Sequence, residues 1–208
     1  MNPPAFLQLV LDQVQYQTAG CLVGGSGCYE AGLHLVTGPI GSGKSTIAGL
    51  MAGVLVPDSG TVHRHNITRS LLSVQFPEYY ITSVTIAGEI ESWGLSPKEI
   101  LHFLSLGDRA DEPVMSLSRG ELKRLHLACV CAQSAELIIF DEPFASLDEN
   151  GQGWLRDVLL AAANSRIVVI STHYGVRNTI PTDLIASRTE MSDGQLCQQI
   201  ISHGFQNL

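Results

Sequence analysis

Basic residues are scarce in this chain. Twelve Lys and Arg stand against twenty Asp and Glu in 208 residues, a formal net charge of −8. A surface that neutralises nucleic-acid phosphates needs clustered Lys and Arg, so this balance argues against nucleic acid as a partner. No apolar run approaches the ~18–20 residues that cross a bilayer. The start, Met1-Asn2-Pro3-Pro4, lacks the basic region of a secretory signal, so export is not expected. The five cysteines (Cys21, Cys28, Cys129, Cys131 and Cys197) include no Cys-x-x-Cys pair. They are expected to be buried or incidental thiols in a reducing cytosol. His63 and His65 would share one face of a strand, but no third ligand stands near them, so surface histidines are expected. No internal repeat or low-complexity tract is visible, and the length suits a single domain over residues 1–208.

What is present is concentrated in one stretch. Gly38-Pro39-Ile40-Gly41-Ser42-Gly43-Lys44-Ser45-Thr46 fits Gly-x4-Gly-Lys-Ser/Thr at every fixed position. The apolar run Leu33–Thr37 before it reads as a buried strand, and residues 44–55 after it read as a helix. In that setting glycines turn backbone N–H groups toward an anion at a helix N-terminus. Lys44 would meet the β- and γ-phosphates and Ser45 would offer its hydroxyl to Mg²⁺. A nucleoside triphosphate site is expected.

Elsewhere the pattern alternates. Residues 6–16 read as a strand, 20–27 as a glycine-rich turn region, and 60–64 and 71–75 as short strands. From 85 to 106 the apolar spacing turns helical, with Ile86, Ile90 and Trp93 on one face, and Ser96-Pro97 marks a helix start. Leu117-Ser118-Arg119-Gly120-Glu121 opens another helix, with Leu122, Leu125, Cys129 and Ala132 as its stripe. Leu137–Phe140 is a compact buried strand ending in Asp141-Glu142. A helix over 149–163 leads to a buried strand over 167–170, which runs into Ser171-Thr172-His173; two strands around an Asp193-Gly194 turn close the chain. The pattern predicts an α/β fold, a mostly parallel sheet wrapped by helices, with a helical insert at about 82–116.

The order of motifs resembles the ATP-binding-cassette (ABC) ATPases over nearly the whole chain. It comprises the phosphate loop, Gln75, the signature-like Leu117–Glu121, Asp141-Glu142, Ser146-Leu147-Asp148 and His173. The resemblance implies a P-loop NTPase fold with an antiparallel β subdomain, and ATP with Mg²⁺ as its ligands. Asp141, Ser45 and Gln75 would hold Mg²⁺. Glu142 would act as general base on the attacking water, with His173, Gln75 and Lys44 around the γ-phosphate. Tyr16 would stack on adenine. Ser118 and Gly120 would approach the γ-phosphate bound by a second subunit, and Asp148 would communicate across the same interface. A head-to-tail dimer is implied, at the cytoplasmic face of a membrane.

Gln75-Phe76-Pro77-Glu78-Tyr79 and the segment to Ile100 resemble the energy-coupling-factor and cobalt/nickel importer ATPases. That branch implies uptake of a vitamin or metal ion through a membrane coupling subunit and a substrate-binding membrane subunit. Phe76, Tyr79 and Tyr80 would be the docking contact. A soluble ABC ATPase of repair, cofactor-assembly or regulatory type is the alternative. A small-molecule kinase would explain the phosphate loop but not the signature, Asp148 or His173. Three departures stand out: Arg119 where glycine is commonest, Glu121 where glutamine is commonest, and Phe144-Ala145 after Glu142-Pro143. None removes a phosphate, metal or base residue, so activity is expected.

Overall fold

The computed structural model describes residues 6–18, 20–74, 80–173 and 179–201. Nine strands form one sheet among the described residues: β1 (Gln8–Gln17), β2 (Leu22–Glu30), β3 (Gly32–Thr37), β4 (Ser59–His65), β5 (Ser70–Ser73), β6 (Leu137–Asp141), β7 (Ile167–Thr172), β8 (Ser187–Ser192) and β9 (Gln195–Ile200). Their spatial order is β4-β1-β2-β9-β8-β3-β7-β6-β5. From β8 to β5 every pairing is parallel. At the other end β4, β1 and β2 pair antiparallel, and β9 joins the two parts.

The pairing follows from composition. In β7 every residue is buried and in β6 all but Asp141, as continuous apolar runs covered on both faces require. One face is covered by α1 (Lys44–Ala52), whose Ile47, Leu50 and Met51 pack with Leu9, Val36, Ile139 and Val169. The other is covered by α5 (Glu149–Ala163), whose Leu155 and Leu159 pack with Ile138, Phe140, Val168 and Ile170. A third core belongs to the helical insert. There α2 (Ile86–Ser92) and α3 (Pro97–Leu104) pack Ile86, Ile90, Ile100 and Leu101 against Leu122 and Leu125 of α4 (Arg119–Ala132). Ile86 and Ile90 are therefore the insert's own core, as their spacing indicates.

Several boundaries differ from the sequence reading. The glycine-rich stretch at 20–27 is mostly strand β2, not a turn region. A Cβ at Gly24 would lie 2.0 Å from the carbonyl oxygen of Val14, so glycine serves close strand approach there. Strand β1 carries a bulge between Leu11 and Val14, with Gln13 at φ 47°, which interrupts its alternation. Helix α1 stops at Ala52 and not Leu55, because Gly53 adopts φ 81° and its N–H bonds back to Gly49 and Leu50. The 85–106 pattern is two helices separated at Gly94, φ 72°.

Buried polar side chains stitch the two parts of the sheet together. Tyr29 Oη lies 2.9 Å from Thr189 Oγ1. His34 Nε2 lies 2.8 Å from the Glu30 carbonyl, which only accepts, so Nε2 carries the proton and Nδ1 accepts from the Ser187 hydroxyl at 2.8 Å. Gln198 Nε2 donates to Ser187 Oγ and to the Cys28 carbonyl. Desolvation pushes His34 down to about 4 from its ordinary 6.5. His126, partly buried beside Trp93 and Ser73, is pushed down to about 4 mainly for the same reason. Both are neutral in the folded protein at pH 7.

The unfolded chain takes up a proton on each of these histidines near 6.5, whereas the folded chain resists until about 4. Falling pH within that window therefore favours unfolding, by about 1.4 kcal/mol per pH unit for each group. We predict that the urea midpoint falls steadily from pH 6.5 to 4.5 and that His34→Gln roughly halves the slope. A midpoint independent of pH over that window would mean that the two histidines do not govern acid stability.

Candidate active site

The register of three adjacent parallel strands assembles the site. Thr37 pairs with Thr172, and Asp141 pairs with Ser171, so β3, β7 and β6 end on one line. The phosphate loop leaves β3 there and enters α1, the crevice at the strand carboxyl ends where α/β sheets bind ligands. Gly41 (φ 82°) and Gly43 (φ 97°) adopt backbone conformations that side chains disfavour. A Cβ at Gly38 would meet the Met191 carbonyl oxygen at 2.4 Å and Ser42 Oγ at 2.7 Å.

Lys44 is buried, with its ammonium donating to the Gly38 and Pro39 carbonyls at 2.9 Å each. One of its three donors remains for a ligand. Ser42 Oγ is buried without a hydrogen-bond partner, so this cradle carries an unmet polar group. Pro39 and Ile40 form its exposed outer rim. The fit to a polyphosphate is direct: a buried cation, glycines turning the loop, and an orphaned hydroxyl at a helix N-terminus.

The acids lie beside this loop. Ser45 Oγ donates to Asp141 Oδ2 at 2.6 Å, and Ser171 Oγ donates to Asp141 Oδ1. Two hard oxygen donors, one anionic, at the phosphate end of a cradle suit Mg²⁺. Glu142 is buried at φ 50°, a left-handed conformation costing a non-glycine residue roughly 1–2 kcal/mol. Its N–H bonds the Ser171 carbonyl at 2.9 Å, and Lys123 of α4 donates to the Glu142 and Ala145 carbonyls at 3.2 and 2.5 Å. These bonds hold the strained turn. The Glu142 carboxylate lies 2.5 Å from His173 Nδ1 and accepts from Thr172 Oγ1 at 3.3 Å. Half of the His173 side chain remains exposed.

The structure thus brings together Lys44, Ser45, Asp141, Glu142 and His173. Tyr16 pairs with Val23 on β2 and is half-buried against the core. Val23 lies under the loop, since a Cβ on Gly43 would approach its Cγ1 to 2.8 Å. Gln75, Phe76 and Tyr79 lie outside the described residues. Ser118 is the exposed N-cap of α4, accepting from the Glu121 N–H, with Gly120 beside it. The Asp148 carboxylate caps α5 by accepting from Gly151 N–H at 2.9 Å. Among the described residues these three stand at helix starts, with Ser118 and Asp148 in capping hydrogen bonds of their own helices and not bonded to Asp141 or Glu142. Sequence reasoning missed Lys123, Ser171 and Thr172. Ser171 and Thr172 were legible as the polar end of an apolar strand; Lys123, within a helix full of charge, gave no signal.

His63 and His65 are exposed on β4. Among the described residues no group of three or more His, Cys, Asp or Glu is placed to bind a metal. No described helix is long and apolar enough to cross a membrane.

Comparison with known proteins places this geometry. An ABC transporter family model matches residues 22–145. An energy-coupling factor transporter ATP-binding protein of Halalkalibacterium halodurans is 30% identical over 167 residues, 66% of this chain and 59% of that protein. The chain spans less than two thirds of the length of the curated relatives it matches. A dimeric bacterial ABC transporter cassette superposes with a TM-score of 0.74 at 19% identity, covering 94% of this chain and 99% of that one. The cbiO1 protein of Clostridium perfringens, part of the ABC transporter complex cbiONQ, superposes with a TM-score of 0.73 at 21% identity, covering 93% and 88%. With its P-loop NTPase fold, its cradle and its acidic strand end together, this chain belongs to the ATP-binding cassette family of ABC transporters.

Proposed function

We propose that this chain hydrolyses ATP as one half of a nucleotide-sandwich dimer and thereby drives transport through partner membrane subunits. The observation that carries this is the convergence of Lys44, Ser45, Asp141, Glu142 and His173 at the ends of β3, β6 and β7.

The chemistry rests on these atoms. Lys44 and the loop N–H groups hold the β- and γ-phosphates. Ser45 and Asp141, with Gln75, would hold Mg²⁺, which when bound offsets charge on the phosphate oxygens. Glu142 accepts the proton of a water that attacks the γ-phosphorus; the new P–O bond replaces the bond to ADP, which leaves. Each Glu142 oxygen has one protein donor and keeps a second lone pair for that water. The Glu142 carboxylate only accepts, so His173 donates Nδ1–H to it and orients it; half of the His173 side chain is exposed, and donating Nε2–H to the γ-phosphate as well requires the doubly protonated imidazolium. Tyr16, at the edge of the loop, offers a ring face to adenine.

We take the remaining face of the site to come from a second chain. Ser118, exposed, and Gly120 sit at the start of a 14-residue helix, suited to an anion. A second cassette supplies them, with Asp148 at the same interface. The resemblance of the 75–100 segment to energy-coupling-factor ATPases, and the similarity to a relative of that name, support uptake of a vitamin or metal ion. A membrane coupling subunit and a substrate-binding membrane subunit are then the partners, and the chain lies on the cytoplasmic face of the membrane. Tyr80 and Val84, both exposed beside the insert, offer an apolar contact for the coupling subunit.

Glu142→Gln keeps the shape of the side chain but accepts no proton. Hydrolysis should fall by about 10²–10⁴, and with Mg-ATP the variant should elute as a dimer. Turnover at the wild-type rate would remove Glu142 from the base role. Lys44→Ala should weaken ATP binding to the isolated monomer, whereas Ser118→Ala should leave that binding intact and abolish hydrolysis. Equal loss of monomer binding in both variants would contradict the sandwich. Purification from native membranes should bring down an integral membrane protein; its absence would favour a soluble, non-transport ATPase.

A further inference from the structure

We infer that Arg109 is a positioning residue of the composite site. By pairing with Glu121 while anchored on Glu112, it offsets part of the negative charge that Glu121 brings to the signature turn, so the turn can receive the γ-phosphate held by the partner. This inference rests on the sandwich reading and goes beyond it by naming what makes an acidic signature workable.

The geometry is specific. Glu121 is the third residue of α4 and forms a capping box with Ser118. Its Oε2 accepts the Ser118 N–H at 2.8 Å, while Ser118 Oγ accepts the Glu121 N–H at 3.3 Å. Ser118 Oγ acts there as acceptor, so its own hydrogen stays available to an incoming anion. The same box brings a carboxylate next to that anion, and two like charges a few ångströms apart repel.

A guanidinium from outside the helix answers it. Arg109 lies in the 3₁₀ turn Arg109–Asp111, and one of its terminal nitrogens meets Glu121 Oε1 at 2.8 Å. Its Nε meets Glu112 Oε2 at 2.9 Å, and Ser116 Oγ donates to that same oxygen at 3.1 Å. Glu112 and Ser116 thus aim the planar fork at Glu121 from the loop that precedes the signature. Both Glu121 oxygens are engaged by donors, and its carboxyl is held below the usual carboxylate range, chiefly by its bonds to Ser118 and then by Arg109. Arg119 is exposed at the same helix start as Ser118.

The test uses Arg109→Gln, which keeps a polar side chain but removes the charge, alone and combined with Glu121→Gln. A glutamine at 121 still accepts the Ser118 N–H. Arg109→Gln should raise the Mg-ATP concentration for half-maximal hydrolysis by roughly three- to tenfold, with ATP binding to the monomer unchanged. The double variant should return to the wild-type concentration, because the uncompensated charge is gone. Added salt should narrow the gap between Arg109→Gln and wild type. A purely structural role predicts instead that the double variant stays as impaired as the single one, since the Glu112 anchor is still lost; that result, or a gap that widens with salt, overturns the inference. Thermal unfolding of both variants identifies any loss of fold, in which case Arg109→Lys, keeping the charge, must restore the wild-type concentration. Ser118→Ala separates the two levels: if it hydrolyses normally, the sandwich reading fails; if it is inactive while Arg109→Gln behaves as wild type, only the role of Arg109 fails.

Discussion

Parallel pairing of β3 with β7 and of β7 with β6 is the constraint on which the remainder depends. In a parallel ladder all strands run the same way, so their C-terminal ends, and the segments attached to them, emerge on one edge. Here that edge receives the phosphate loop from β3, Asp141-Glu142 from β6 and Ser171-Thr172-His173 from β7. A register slip of one residue would turn Asp141 away from Ser45 and bury a charge. The apolar faces fix the register, because Ile138, Phe140, Val168 and Ile170 meet α5 while Ile139 and Val169 meet α1. Core packing and catalytic geometry are set by the same ladder.

A second set of interactions holds the site in a conformation that local preference opposes. The backbone of Glu142 is left-handed, as is that of Ser146 four residues later. Lys123 spans from α4 to the carbonyls of this turn, so the helix that begins at the signature also clamps the turn that carries Glu142. Movement of the signature helix and of Glu142 is thereby mechanically joined through one buried side chain. The same helix carries His126 against Ser73 at the end of β5, which precedes Gln75. One helix therefore touches the ends of both β5 and β6.

The antiparallel strands contribute differently. They carry Val23 beneath the loop and are fastened to the parallel part by hydrogen bonds among Tyr29, Thr189, His34, Ser187 and Gln198. Buried polar networks are directional, so they fix how the two parts meet more sharply than apolar contact alone. Their neutral histidine also ties this junction to pH.

The phosphate loop, the apolar strands β6 and β7 with their polar ends, and the helix at 149–163 were legible in the sequence, because each is specified by neighbours along the chain. Apolar runs of four residues bounded by acids or hydroxyls have one sensible burial, and the Gly-x4-Gly-Lys-Ser pattern encodes its own turn. Glycines 24 and 25 misled, since their use is to admit a neighbouring strand that sequence cannot show. The capture of two carbonyls by Lys123, of Asp141 by Ser171 and of Glu121 by Arg109 link residues 12 to 30 positions apart. Local chemistry determined which residues this protein carries to its site. Only tertiary packing decided which of them touch, because contact between distant side chains depends on the register of strands and the placement of helices, and no single segment contains either.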